Sequence, residues 1–187
     1  IAGNWAGLRD PESGVASYAW AIGTAPGADD LQPFTDVALA ASAINAALGL
    51  ADGQTVFVAV RAVNGAGSFA TSVSDGVLID TSGPSAGTVN DGAGADVDFQ
   101  PSTSTLSANW SGFADAQSGV VAYAWSAGTA PGAADVVPLT SVGAATSASA
   151  TGLPLSDGAA YFITIRATNG TGATVSATIL ENKRGDK

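Results

Sequence analysis

The feature that most constrains this chain is a repeat with an offset of 105 residues. Asn4-Trp5-Ala6-Gly7 returns as Asn109-Trp110-Ser111-Gly112, and from there the two copies align without a gap to Gly67 and Gly172. About half of the aligned positions are identical, which implies two copies of one supersecondary unit. The shared residues include Asp10 and Asp115, Tyr18-Ala19-Trp20 and Tyr123-Ala124-Trp125, Gly23-Thr24-Ala25-Pro26-Gly27 and Gly128-Thr129-Ala130-Pro131-Gly132, and Arg61 and Arg166. Residues 1–81 form the first copy, 82–87 read as a linker around Ser82-Gly83-Pro84, and 88–187 form the second. Ile1 aligns with Leu106, so the first copy is expected to lack the N-terminal strand of its unit and the chain to be a piece of a longer array.

Within each copy the periodicity is that of strands. Val56 to Val63 and Tyr161 to Thr168 alternate β-branched and small residues and close on Asn64-Gly65 and Asn169-Gly170, a favoured hairpin dipeptide. Val15 to Ile22 and Val120 to Ala127 form a second pair of strands, each ended by Gly and a Pro-Gly turn. Shorter candidates are Ala2 to Trp5, Ser42 to Leu48 and Ser68 to Ser74, matched by Thr105 to Trp110, Thr146 to Thr151 and Ala173 to Thr178. Asp36 to Ala51 is rich in Ala and Leu and has helical propensity. Its counterpart, Ser141 to Ser156, is full of Gly, Ser and Thr and contains Pro154, so loop followed by strand is expected in both. The fold class is all-β: two tandem antiparallel β-sandwiches.

Composition then removes whole classes of chemistry. The 187 residues include no His and no Cys, which excludes imidazole or thiolate relays and the usual zinc ligands. Six basic residues against sixteen acidic give a net charge of −10, a balance that repels nucleic acid and anionic membrane surfaces alike. No apolar run reaches the roughly 18–20 residues of a membrane span, so no direct membrane insertion by this segment is expected. Yet 46% hydrophobic residues at low charge density suffice for packed cores.

Leu155-Ser-Asp-Gly158-Ala-Ala-Tyr161 and the strand ending in Ala167-Thr-Asn169 resemble the strand E to strand G signature of fibronectin type III domains. Trp110 resembles that family's core Trp on strand B, and Tyr123 its strand C Tyr. The resemblance covers nearly all of both copies. It implies an Ig-like sandwich with Trp5, Trp110, Tyr18, Tyr123 and Tyr161 in the structural core. The variant with Tyr-x-Trp and Gly-Thr-x-Pro-Gly is similar to repeats of large extracellular and cell-surface proteins. Val56 stands where the second copy has Tyr161, so the first sandwich is expected to be the less secured.

Several residues are candidate sites. Trp20 and Trp125 share a strand face with Tyr18 and Tyr123, which favours the core, but with Arg61 and Arg166 they could form an exposed platform for a sugar ring or other ligand. Asp91, Asp96 and Asp98, interleaved with Gly, are oxygen donors of the kind a structural Ca²⁺ takes, although the spacing is not that of an EF-hand and a turn followed by a strand with outward carboxylates is the favoured explanation. Asp10 with Glu12, and Asp115 with Gln117, form a weaker loop candidate. Asn109 and Asn169 match the N-glycosylation pattern, Asn169 in a turn and Asn109 beside a core Trp. Arg184-Gly185-Asp186 spells an integrin-type tripeptide.

No catalytic set and no cofactor other than that Ca²⁺ is expected. The expected function is a non-catalytic structural or adhesive repeat module, extracellular or at the cell surface, acting as spacer or assembly unit. Its partners would be neighbouring repeats or other copies in a surface or filament assembly, with glycan attachment consistent with the pattern. The competing expectation is a carbohydrate- or ligand-binding module accessory to an enzyme or adhesin.

Overall fold

The computed structural model describes residues 1–180, which contain strands and no helix. The chain divides after Thr81 into two compact units. In the first, β1 (Ala2–Asn4), β2 (Val15–Gly23), β3 (Gln32–Asp36), β4 (Ser42–Ile44), β5 (Thr55–Asn64), β6 (Phe69–Val73) and β7 (Val77–Leu78) follow in order. They form a β1-β4 sheet and a β3-β2-β5-β6 sheet, with β7 paired to the start of β5. The second unit contains β8 (Thr88–Asp91), β9 (Thr105–Ser111), β10 (Val120–Gly128), β11 (Val137–Gly143), β12 (Ser147–Thr151), β13 (Phe162–Asn169) and β14 (Thr174–Leu180). Its sheets are β12-β9-β8 and β11-β10-β13-β14, and every pairing is antiparallel.

The two units are one design. Trp20 pairs with Val60 as Trp125 pairs with Ile165, and Arg61 with Thr71 as Arg166 with Ser176. Alternation on these strands sends Ile22, Val56 and Val60 inward in one unit, and Ala127, Ile163 and Ile165 in the other. The missing first strand is visible as a difference between sheets. In the second unit β8 lies beside β9 and places Val89 opposite Trp110, whereas β1 has only β4 beside it among the described residues.

That difference reshapes the cores. Twelve buried apolar residues, drawn from both sheets, fill the second unit, Trp110 (2% exposed) among them; four fill the first. Trp5 was expected at the centre of its sandwich, but it is only partly buried, packed against the core from the side that β8 covers in the other copy. Tyr18 and Tyr123 are likewise partly buried, edge-on to Trp5 and Trp110 at centroid distances of 6.0 and 5.7 Å. Tyr161 is buried, and its hydroxyl accepts the Ser156 N–H at 2.8 Å, pinning the corner that Val56 leaves unpinned in the first unit.

Three local expectations differ from the structure. Residues 82–87, read as a linker, engage the second unit: Ser82 Oγ donates to Gln117 Oε1 at 3.0 Å, and Ser85 bridges to Ala114. The acidic stretch was read as a turn followed by a strand, but the strand precedes the turn, ending at Asp91. The edge strands β3 and β11 were not anticipated, each carrying a Pro as its second residue (Pro33, Pro138), where an edge tolerates a missing N–H.

The Ala-rich stretch forms no helix; it turns at Ala38 and then pairs as β4. Ala38 is the one described non-Gly residue with positive φ, at 52°, and its counterpart is Gly143 at 61°. The repeat thus keeps a left-handed bend that a Cβ opposes. Ala38→Gly is expected to be neutral or to stabilise the first unit by up to about 1 kcal/mol in urea unfolding, because relief of the left-handed strain offsets the added freedom of the unfolded chain.

Candidate functional site

Of the proposed aromatic platform, the tryptophans are excluded by burial. Trp20 and Trp125 are each 3% exposed, held inside their sandwiches by the inward phase of β2 and β10. Arg61 does point outward, onto the face of the β3-β2-β5-β6 sheet. Its Cζ lies 3.5 Å from the centroid of Phe34 on β3 and 4.9 Å from that of Phe69 on β6. Ala19, its partner on β2, leaves room for the guanidinium to lie between the two rings. Cation–π stacking of this kind contributes about 0.5–2 kcal/mol, the upper end where the cation is desolvated. Arg61 Nε is buried without a hydrogen-bond partner, so the rings, not an acceptor, compensate its burial. The second copy does not repeat the device: Leu139 and Thr174 replace the rings, and Arg166 is exposed.

What both copies do repeat is a hydrogen-bonded corner that joins the loop before the β2 or β10 strand to the end of β5 or β13. Asp115 Oδ1 accepts the backbone N–H groups of Gln117, Ser118 and Gly119 at 3.2, 2.9 and 3.1 Å, while Asn169 Nδ2 donates to Oδ2 at 3.0 Å. Asp10 does the same with Glu12, Ser13 and Asn64, the last at 2.9 Å. The Asn amide, above all, holds each carboxyl below the ordinary aspartate value of 3.8. A second repeated pair is Thr24 with Asp30 and Thr129 with Asp135, where the Thr hydroxyl and N–H both donate and again lower the carboxyl. These carboxylates bond to neutral donors, an arrangement that fixes loops and sets up no acid and base of separated strength.

The same network decides the fate of the two Asn candidates. Asn169 is 1% exposed, and its Nδ2, the atom a glycan would modify, donates to Ser82 O at 3.1 Å as well as to Asp115. Its Oδ1 accepts from Thr171 and Ala173, so the side chain organises the turn that the Asn-Gly dipeptide was expected to form on its own. Asn109 Nδ2 donates to Gly92 O and Gly94 O at 3.1 and 2.7 Å. In the folded unit both amides are therefore committed to hydrogen bonds, Asn169 as well as Asn109, which its place beside Trp110 made the poorer glycan acceptor.

Asn109 also bears on the acidic loop. Its amide ties two carbonyls of that loop to β9, and Asp96 Oδ1 accepts the Asp91 N–H at 3.1 Å. Asp91 is buried at the end of β8, whereas Asp96 and Asp98 are exposed. Among the described residues no three acidic side chains gather into a metal-binding group, and the candidate Ca²⁺ donors Asp91, Asp96 and Asp98 are not brought together. A cleft of about 520 Å³ beside this loop is lined by Asp98, Phe99, Asp157 and Tyr161. The Tyr161 hydroxyl there is already bonded to Ser156, and no nucleophile is paired with a base. Arg184-Gly185-Asp186 lies outside the described residues.

No family model matches the chain, and no curated protein matches it. Among solved structures it is similar to the "Central Fibronectin-III array of RIM-binding protein", at 14% identity over 96% of this chain and 62% of that one, with a TM-score of 0.29. The chain thus spans about three fifths of that protein's length. A superposition of that quality carries no argument; the strand order does. A three-stranded sheet facing a four-stranded one, with β10 and β13 central and Tyr161 at the corner, is the seven-strand plan of the sandwich. By order and register of its strands, the chain consists of two fibronectin type III-like β-sandwiches, and among the described residues β1 has only β4 beside it where β9 has both β12 and β8.

Proposed function

We propose that this chain is a non-catalytic structural module, a spacer or assembly unit within a repeat array of an extracellular or cell-surface protein, with neighbouring repeats or other copies as its partners. The observation that carries the reading is which residues the two copies share. The repeated side chains are those that hold strands and corners: Trp20 and Trp125 inside, Asp10 with Asn64 and Asp115 with Asn169 at the corners. Apart from Arg61 and Arg166, the outward face around them diverges, Phe34 to Leu139 and Phe69 to Thr174. Tandem binding modules for one ligand would be expected to share the binding face in addition to the core. An acidic chain of net charge −10 suits an array of many copies, because like charge opposes their association. The extracellular setting is supported by the family resemblance of the motifs.

Single-molecule pulling on the whole chain tests the reading. A spacer is expected to give two separate unfolding events, each releasing chain at about 3.6 Å per residue, and to refold on relaxation. A single event would contradict independent spacer units, and saturable binding of a glycan that Arg61→Ala abolishes would support the ligand-binding alternative instead.

A further inference from the structure

Two Asn residues of the 187 are followed by Gly, Asn64 and Asn169, and they stand at the same place of the repeat. The dipeptide has its own chemistry, because a Gly nitrogen, with no Cβ to crowd it, can attack the preceding side-chain amide. A bond forms from Gly N to Asn Cγ, and the amide nitrogen leaves as ammonia, taking the proton that Gly N gives up. Water then opens the resulting succinimide to Asp or to its β-linked isomer. The two turns have matching backbones: Gly67 N–H donates to Asn64 O at 3.0 Å and Gly172 N–H to Asn169 O at 3.1 Å. What differs is how firmly the reacting groups are held. Asn169 is 1% exposed, its Nδ2 donates to both Ser82 O and Asp115 Oδ2, and Gly170 N–H donates to Ser118 Oγ at 2.9 Å. Asn64 is partly exposed, its Nδ2 donates to Asp10 Oδ2, and Gly65 N–H donates to Gly14 O at the longer distance of 3.2 Å. Freeing Asn64 and Gly65 for reaction therefore breaks fewer bonds and uncovers less than freeing Asn169 and Gly170.

We propose that Asn64 is a self-modification site, whose deamidation through Gly65 releases the corner between Asp10 and the end of β5, and that burial of Asn169 suppresses the same reaction in the second unit. The release runs one way. The amide that donated to Asp10 becomes a carboxylate, so two acceptors of like charge face each other where a donor met an acceptor. The β-linked product also adds one carbon to the backbone at the start of the β5-β6 turn. That shift draws the side-chain oxygen away from the Ala66 and Ser68 N–H groups, which it accepts at 3.0 and 2.9 Å. Water is the sole co-reactant. The inference draws on the two corners alone and is independent of where the array resides.

The test is incubation of the whole chain in mildly alkaline buffer, with the products at Asn64 and Asn169 quantified over time by peptide mass mapping. In the folded chain Asn64 is expected to convert at least about tenfold faster than Asn169, the ratio that an additional hydrogen bond and burial of the amide correspond to. In concentrated urea the two sites should convert at comparable rates, which identifies the fold as the source of the difference. Asn64→Asp makes the unrearranged product directly, and it should lower the melting temperature of the first unit while that of the second is unchanged. The proposal is overturned if Asn169 converts as fast as Asn64 in the folded chain, or if Asn64 stays intact over the time in which the urea-treated chain converts. It is equally overturned if Asn64→Asp melts as the parent chain does. Any of these results with two independent unfolding events retained would leave the spacer reading standing.

Discussion

Trp110→Ala is expected to destabilise the second unit by about 3–5 kcal/mol, the range for deleting a buried indole and leaving its cavity. Trp110 is 2% exposed, covered by Val89 from β8, by Tyr123 edge-on and by the inward residues of β10 and β13. A domain of this size holds about twice that amount in total, so the variant should be largely unfolded in its second unit at moderate urea. Trp5→Ala, at the same position of the repeat, should cost about 1–2 kcal/mol less, because Trp5 is only partly buried and the space it leaves opens to water rather than into a sealed core. Trp110→Phe separates ring from nitrogen. Trp110 Nε1 is buried with no hydrogen-bond partner, so removing it forfeits packing area only, and the loss should be well below that of Ala. Urea unfolding followed by near-ultraviolet circular dichroism measures all three; equal losses for Trp5 and Trp110 would contradict the open-edge description of the first unit.

The second large effect is expected at a residue that carries no charge. Asn169→Ala removes the donor to Ser82 O and Asp115 Oδ2 and the acceptor for Thr171 and Ala173, all in one buried side chain. Orphaning several of these partners at once should cost the second unit about 2–4 kcal/mol. Asn64→Ala, partly exposed and bonded to Asp10, Ala66 and Ser68, should cost about half as much. The same corner gives a pH signature. The folded carboxyls of Asp10, Asp30, Asp115 and Asp135 lie below the ordinary 3.8, so their contribution is fully present above that value and is lost as pH falls through the lower folded values. Melting temperature should hold at neutral and mildly acidic pH and decline below about pH 4. In Asn169→Ala the decline should be shallower, because the largest cause of the Asp115 shift is gone. A decline of unchanged steepness would remove Asn169 from that role.

Much of the fold was legible because the chain states it twice. The helix-prone stretch of the first copy could be read as loop and strand only because its second version contains Pro154 and several Gly, and the phase of β2 and β10 placed both Trp20 and Trp125 on the core face. The edges were hidden: β3, β8 and β11 are short or largely exposed, interrupted by Pro or preceded by Gly, and leave weak periodicity. The site residues were less legible still. Phe34 and Phe69 are 27 residues before and 8 residues after Arg61, and only the β3-β2-β5-β6 register brings all three together. Asn169 read as a turn residue because local sequence reports its dipeptide and not the Asp115 carboxylate, which comes 54 residues earlier. Its exact repetition with Asp10 and Asn64, at the same spacing, was the signal that could have revealed it.

The central claim is that one sandwich is built twice, each copy held by its own core, with the first the weaker. Native-state amide hydrogen exchange on the whole chain in rising sub-denaturing urea tests it most directly. The account predicts two families of opening isotherms, the amides of β2 and β5 merging at a lower free energy and those of β10 and β13 at a higher one. Merging of all four strands onto one isotherm, or a first unit more protected than the second, would contradict it.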